Sequence, residues 1–412
     1  MFTGRKTELG EHALPVNGPS RKGEIVMKRS KWRDYLAIEL IIVLMFLTCV
    51  ISGVFSIFPP GKQSEANLQP AGAARHAGSA QLMHSVFFNR PEPARPEPKV
   101  AHKLFKGIDS IDFTFGVLPD TQYYSRSHPD IFKRMNQWFV ANRDTLKLRY
   151  IFHLGDIVNN DDQPYQWKTA NKAMKILDDA EVPYGIITGN HDVGFKKDYR
   201  PFDRYFGETR YLWNPWYGGS YKNNRGHFDL INTNGQKYIM LGMGWGIGGQ
   251  EIAWMNHVLH AYRDRIAILF VHDYLGSYGK RTVQGQMLFE KVVKPNRNVR
   301  MVMNGHSYGA ARRVDTIDDN RDGKPDRKVM QILSDYQSVK GGQGYIRVMG
   351  FDLTHDKVYV RTFSPQVNKT HAFKKNKDNF TFRFDLDQKP KKKNEQKSEN
   401  KRKAHQTAGC LP

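Results

Sequence analysis

The stretch VPYGIITGNHD, Val182–Asp192, sets an apolar run directly against an asparagine, a histidine and an aspartate. Val182–Asn190 reads as a buried β-strand, so Gly189-Asn190-His191-Asp192 falls where that strand ends. Taken alone, Asn190 has a plain structural explanation as a turn residue. The reading changes if other strands end in the same way.

They do. IDFTFGVLPD, LRYIFHLGD, QKYIMLGM, IAILFVHD and VRMVMNGH also read as buried strands, and most stop at a residue type that binds metals: Asp120, Asp156, His272 and His306. His153, set among apolar neighbours without a partner motif, reads as a core residue. Between several strands lie helical patterns, as in DIFKRMNQWFVANRD and QWKTANKAMKILDDA. Strand–helix alternation predicts an α/β fold with helices over a buried sheet. KVMQILSDYQ, YIRVMGFDL and KVYVRTFS follow without helices between them, and predict antiparallel strands completing a second sheet. In an open α/β sheet, ligands gather outside the carboxyl ends of the strands, so these polar residues are expected at one place.

The order Asp120…Gly155-Asp156…Gly189-Asn190-His191-Asp192…His272…Gly305-His306 resembles the calcineurin-like metallophosphoesterase superfamily over roughly residues 112–365. That resemblance implies an α/β (α+β) β-sandwich flanked by helices, hydrolysis of phosphomonoesters or phosphodiesters, and two divalent ions (Mn, Fe, Zn or Mg). Asp156 would lie between the ions, because a carboxylate has lone pairs for both. Asn190, His272 and His306 would complete one ion's shell, and Asp120 and Gln122 would serve the other. His191 would contact the phosphate or protonate the leaving oxygen, with Asp192 orienting its ring.

Two positions depart from the superfamily pattern. Gln122 and Tyr308 stand where histidines usually bind the first metal. An amide oxygen suits hard ions such as Mg²⁺ or Mn²⁺, whereas a phenol with a pKa near 10 is a poor ligand unless the ion deprotonates it. Three outcomes are open: two metals with a weakened first site, one metal, or a module that binds a phosphorylated ligand or cell-surface polymer without chemistry. Asn159 is a candidate substrate contact, as are Trp216 and Tyr217 in YLWNPWYGGSY, which reads either as a loop at the site entrance or as a packed hairpin. DDNRDGKPD, Asp318–Asp326, has the spacing of a calcium loop but Val329 in place of the closing glutamate, and reads as a polar hairpin.

The flanks differ in kind. Residues 40–58 run 19 residues without a charge, about 28 Å as a helix, and basic residues concentrate before them. The expectation is a basic cytoplasmic segment (1–34), a transmembrane signal anchor (35–58), a Pro-rich spacer (59–103), the phosphoesterase domain (104–387) outside the cytoplasmic membrane, and a Lys-rich tail (388–412). A cleaved signal peptide is the competing reading of the apolar run. The formal charge is +22, and residues 389–403 carry eight Lys or Arg against two Glu. Such a tail is either solvated or held by an anionic lipid or cell-surface polymer, and it carries no specific nucleic-acid motif. Two cysteines, Cys49 and Cys410, exclude a disulfide-built domain.

Overall fold

The computed structural model describes residues 104–384 apart from 109 and 374. The anchor and membrane contact expected at 35–58, the segments 1–34 and 59–103, and the tail 388–412 all lie outside the described residues. Among the described residues no helix is long and apolar enough to cross a membrane.

Among the described residues thirteen strands form two sheets. In chain order they are β1 (Phe113–Leu118), β2 (Leu148–His153), β3 (Tyr184–Ile186), β4 (Tyr217–Tyr221), β5 (Gly226–Thr233), β6 (Gln236–Met243), β7 (Ile266–Val271), β8 (Val299–Asn304), β9 (Gly309–Ile317), β10 (Arg327–Asp335), β11 (Ile346–Asp352), β12 (Lys357–Phe363) and β13 (Phe380–Arg383). One sheet runs β13-β12-β11-β1-β2-β3 and the other β4-β5-β6-β7-β8-β10-β9.

The alternation along β1 shows why the sheets pack face to face. Phe113, Phe115 and Val117 point between the sheets, where they meet Tyr238 and Met240 of β6 and Phe351 of β11. Thr114, Gly116 and Leu118 face the other way. There Gly116 lets Phe139 of the helix Pro129–Ala141 come close, since a Cβ would lie 2.6 Å from its ring. Every residue of β1 is buried because both faces are covered, which is why the strand reads as an unbroken apolar run. The helices Pro129–Ala141 and Pro164–Asp179 close one outer face, and Gly249–Ala261 closes the other. The result is a helix–sheet–sheet–helix sandwich.

The last strands depart from expectation. KVMQILSDYQ supplies β10, which lies parallel to β8 in the second sheet, but β11 and β12 join the first sheet beside β1. All of β11 is buried, so it needs a strand on either side, and β1 and β12 provide them. Asp318–Asp326 is the hairpin between β9 and β10. Its carboxylates are taken by backbone N–H groups, Asp318 by Arg321 and Gly323, Asp326 by Asp319 and Asn320.

Candidate metal centre

The carboxyl ends of β1, β2 and β3 in one sheet, and of β7, β8 and β10 in the other, open at a single cleft of about 400 Å³. A larger hollow of about 640 Å³ beside Phe289 and Asp315–Asp319 lies toward the opposite end of β10 and holds structural ion pairs such as Arg327–Asp319.

Close approach of backbone explains the glycines before Asn190 and His306. A Cβ on Gly189 would sit 2.0 Å from Asp156 Oδ1, and one on Gly305 2.0 Å from Asp120 Oδ1. Only a bare Cα lets these loops nest.

His272 organises one half of the cleft. Its Nδ1 lies 2.8 Å from the Leu154 carbonyl, which fixes the proton there and leaves the Nε2 lone pair facing inward. Nε2 is 3.2 Å from Asp156 Oδ1 and 3.2 Å from Asn190 Oδ1. Ligand atoms of Asp156, His272 and His306 all fall within 4.8 Å of one another. With Nε2 unprotonated these atoms are all acceptors around one point, so either a proton on Nε2 or a cation must sit among them. Electrostatics agree. Burial pulls the His272 imidazole down, yet Asp156, and Asp120 beyond it, bring it up to about 10. Burial pushes Asp156 up, but the His272 charge and hydrogen bond hold it below the usual carboxylate range. Two imidazoles, a carboxylate and an amide oxygen form a donor set that fits a borderline divalent ion.

The other half is built from oxygen. Asp120 Oδ2 accepts the His306 N–H at 2.9 Å, and Gln122 Nε2 donates to Asp156 Oδ2 at 3.0 Å. Asp120 Oδ1 and Gln122 Oε1 are buried without a partner. Asp335 and Gln337, at the end of β10, are buried in the same way: Asp335 Oδ1 takes the Gln337 N–H at 2.9 Å, while Asp335 Oδ2 and both side-chain polar atoms of Gln337 have no partner. Burial, and then the Asp335 charge, push Asp120 well above the ordinary carboxylate range. Tyr308 does not turn toward these atoms. It is 53 % exposed, and its hydroxyl lies 2.9 Å from that of Tyr123. That hydrogen bond and burial push its phenol up, away from the phenolate a metal would need.

Three expected roles change. Asp192 does not touch His191. Its carboxylate accepts the N–H groups of Ile157, Val158 and Gly189 at 2.7–3.1 Å, tying the loop after β2 to the loop after β3. The His191 ring is held instead by the Asn159 carbonyl, 2.9 Å from Nδ1, so Asn159 acts through its backbone. Trp216 packs against the inter-sheet core and Tyr217 against the helix-side core, its hydroxyl bonded to Glu208 at 2.9 Å; neither lines the cleft. The packed-hairpin alternative describes them, because β4 pairs with β5.

The sequence reading missed Asp335, Gln337 and Trp245. The indole of Trp245 stands 5.3 Å and 5.8 Å from the rings of His306 and His272. SDYQ at the end of KVMQILSDYQ carried the same strand-end signal as the other ligand types. His153 is buried as expected and serves the site indirectly. Gly155 N–H points at its Nδ1, so Nε2–H donates to Thr121 Oγ1 at 2.9 Å, bracing the Asp120 and Asp156 loops together. Burial holds its pKa down at about 3, so it stays neutral.

Residues 113–309 match the family described as Calcineurin-like phosphoesterase. The uncharacterized protein YvnB of Bacillus subtilis (strain 168) is 49 % identical over 286 residues, 68 % of this chain and 22 % of that protein. The chain therefore spans about a fifth of the length of this curated relative. Among solved structures, a purple acid phosphatase from yellow lupin (Lupinus luteus) seeds is similar at 14 % identity and TM-score 0.42, over 66 % of this chain and 53 % of that one. A 5'-nucleotidase from Candida albicans is similar at 11 % identity and TM-score 0.40, over 63 % of this chain and 52 % of that one.

Proposed function

We propose, taking residues 113–309 as a calcineurin-like phosphoesterase domain, that this chain hydrolyses phosphoesters with divalent metal ions held at the strand ends. The observation that carries the reading is the convergence of Asp156 Oδ1, Asn190 Oδ1 and the His272 Nε2 lone pair on one point, with His306 beside it. Asp156 would span the two positions, offering Oδ1 to the His272 side and Oδ2 to the Gln122 side. When bound, the ions supply Lewis acidity and acidify water, which is what an anionic, slowly hydrolysed ester needs.

The protein's own groups do the rest. Asn190, His272 and His306 would hold one ion, and the Asp156 carboxylate would offset part of its charge. His191 lines the cleft with its Nδ1–H committed to the Asn159 carbonyl, so a doubly protonated ring would present Nε2–H to the departing oxygen and return to the neutral form on giving it up. Tyr308 and Ser307 lie along the same cleft and would meet the ester's substituents. We place the domain outside the cytoplasmic membrane, on the uncharged run 40–58 and the basic residues before it; protease digestion of intact cells tests that placement.

The chemistry is tested with the full-length chain in detergent, stripped by chelator and reloaded with Mn²⁺. Bis-p-nitrophenyl phosphate and p-nitrophenyl phosphate serve as generic diester and monoester. Metal-dependent turnover is expected to fall by on the order of a hundredfold or more in Asn190→Ala and His306→Ala. Turnover that survives both substitutions removes this site as the catalytic one.

A further inference from the structure

We propose that Asp335, with Gln337 beside it, completes the metal position begun by Asp120 and Gln122, making it an all-oxygen site for a hard divalent cation next to the mixed nitrogen–oxygen site of Asn190, His272 and His306. The inference rests on the metal-dependent reading of the cleft and deepens it. On this view the first site is not weakened by the loss of two histidines; it is built from different ligands.

The first support is burial without partners. Asp120, Gln122, Asp335 and Gln337 are 4 %, 2 %, 0 % and 5 % exposed, and each keeps an oxygen that no hydrogen bond reaches. Buried polar atoms are paired in folded proteins, and an unpaired carboxylate oxygen is among the costliest exceptions. Four such oxygens from two separate strand ends, one of them an amide lining the same cleft as Gln122 and Asp156, share the need for a positive partner.

The second support is topology. β10 runs parallel to β8, with Leu333 opposite Asn304, so Asp335 emerges at the same edge as Gly305-His306. Across the other side Asp335 faces Gly309, the residue after Tyr308. Asp335 thus lies at the end of the strand beside β8, which His306 follows, and opposite the turn that carries Tyr308. Asp335 is also the strongest charge acting on Asp120, a repulsion in a buried place that a divalent ion would turn into attraction.

The chemistry of the set predicts selectivity. Carboxylates and amide oxygens favour Mn²⁺, Mg²⁺ or Ca²⁺, while a shell with two imidazoles suits Zn²⁺ or Fe²⁺. Two unlike ions are therefore expected in one cleft.

The test uses the full-length chain, stripped and reloaded with Mn²⁺, with ions per chain counted by inductively coupled plasma mass spectrometry. The wild type is expected to hold two, Asp335→Ala one, and Tyr308→Phe two. Asp335→Ala holding two ions with unchanged affinity overturns the proposal. A wild type that binds none refutes the metal-dependent reading itself. A wild type that binds one, unaltered by Asp335→Ala, leaves that reading standing and removes this one. Because Asp335→Ala opens a buried polar site, a second measurement needs no variant. One equivalent of Zn²⁺ followed by one of Mn²⁺ is loaded into the wild type, and the Mn²⁺ is examined by electron spin-echo spectroscopy. No directly bonded imidazole nitrogen is expected on the Mn²⁺. A nitrogen signal of that kind shows the second ion among histidines, and the proposal fails.

Discussion

Replacing Gly189 by alanine isolates how much the site depends on close packing of its loops. Gly189 has φ −99°, which any L-residue adopts, so the substitution carries no conformational penalty. The cost is contact. The new Cβ would meet Asp156 Oδ1 at 2.0 Å, the Asp156 backbone nitrogen at 2.5 Å and His272 Nε2 at 2.6 Å. Ordinary contacts need about 3.5 Å, so one strand-end loop must move by roughly 1 Å, and the backbone nitrogen cannot rotate aside. Overpacking of this kind costs about 1–3 kcal/mol, or a fall of roughly 2–12 °C in Tm for a body of this size. A 1 Å displacement of the shared carboxylate costs on the order of a hundredfold in rate. Gly246→Ala is the control, since its Cβ meets nothing within 4 Å while its φ is +85°. It should lose about 1 kcal/mol of stability and keep full turnover. Thermal melts and aryl phosphodiester hydrolysis read both variants. Gly189→Ala with wild-type turnover and metal content would refute the reasoning, because it would mean the loops yield without moving the ligands.

Other outcomes follow from single contacts. His191→Ala should slow turnover by about 10²- to 10⁴-fold with metal content unchanged, and loss of an ion instead would move His191 into the ligand shell. Asp192→Ala strips the acceptor from three buried N–H groups and should cost several kcal/mol of stability by urea unfolding, at about 1–3 kcal/mol per orphaned group. A stable but inactive Asp192→Ala would return that residue to orienting the catalytic ring. His227 lies between the sheets, 3.8 Å from Asp229, and burial holds its pKa down at about 3. The unfolded chain takes up this proton first, so the ring's contribution is whole above about pH 6.5 and is lost as the pH falls toward 3. His227→Phe should gain on the wild type by about 2 kcal/mol between pH 7 and pH 5, and a constant difference across that range would show that the ring titrates normally.

Much of this was legible because strands buried on both faces announce themselves as apolar runs, and because ligands sit where such runs stop. Asp120, Asp156, Asn190, His272 and His306 meet at one cleft for that reason. What escaped was set by contacts between distant segments. Nothing local distinguishes an Asp192 that staples two loops from one that orients its neighbour His191, since the difference lies in the backbone N–H groups of Ile157 and Val158, some 35 residues away. Which sheet β11 and β12 join is not written in their own residues, because alternation fixes which face is buried, not which neighbour covers it. Tyr308 drew attention as a substituted ligand, while Asp335, one strand over, looked like the end of an ordinary strand.

The cleft draws on both halves of the sandwich. Asp120, Asp156 and Asn190 follow strands of one sheet, while His272 and His306 follow strands of the other, and among the described residues no hydrogen-bonded ladder joins the two. A cation held from both sides would thus be a rivet through the seam. Ion concentration then becomes a control on how firmly the sheets are clamped: at a free-metal level a hundred times the dissociation constant, each ion adds about 2.7 kcal/mol to the folded state. Scarcity of such an ion would then loosen the molecule's mechanical joint, so the time the folded protein survives would follow the ion's supply.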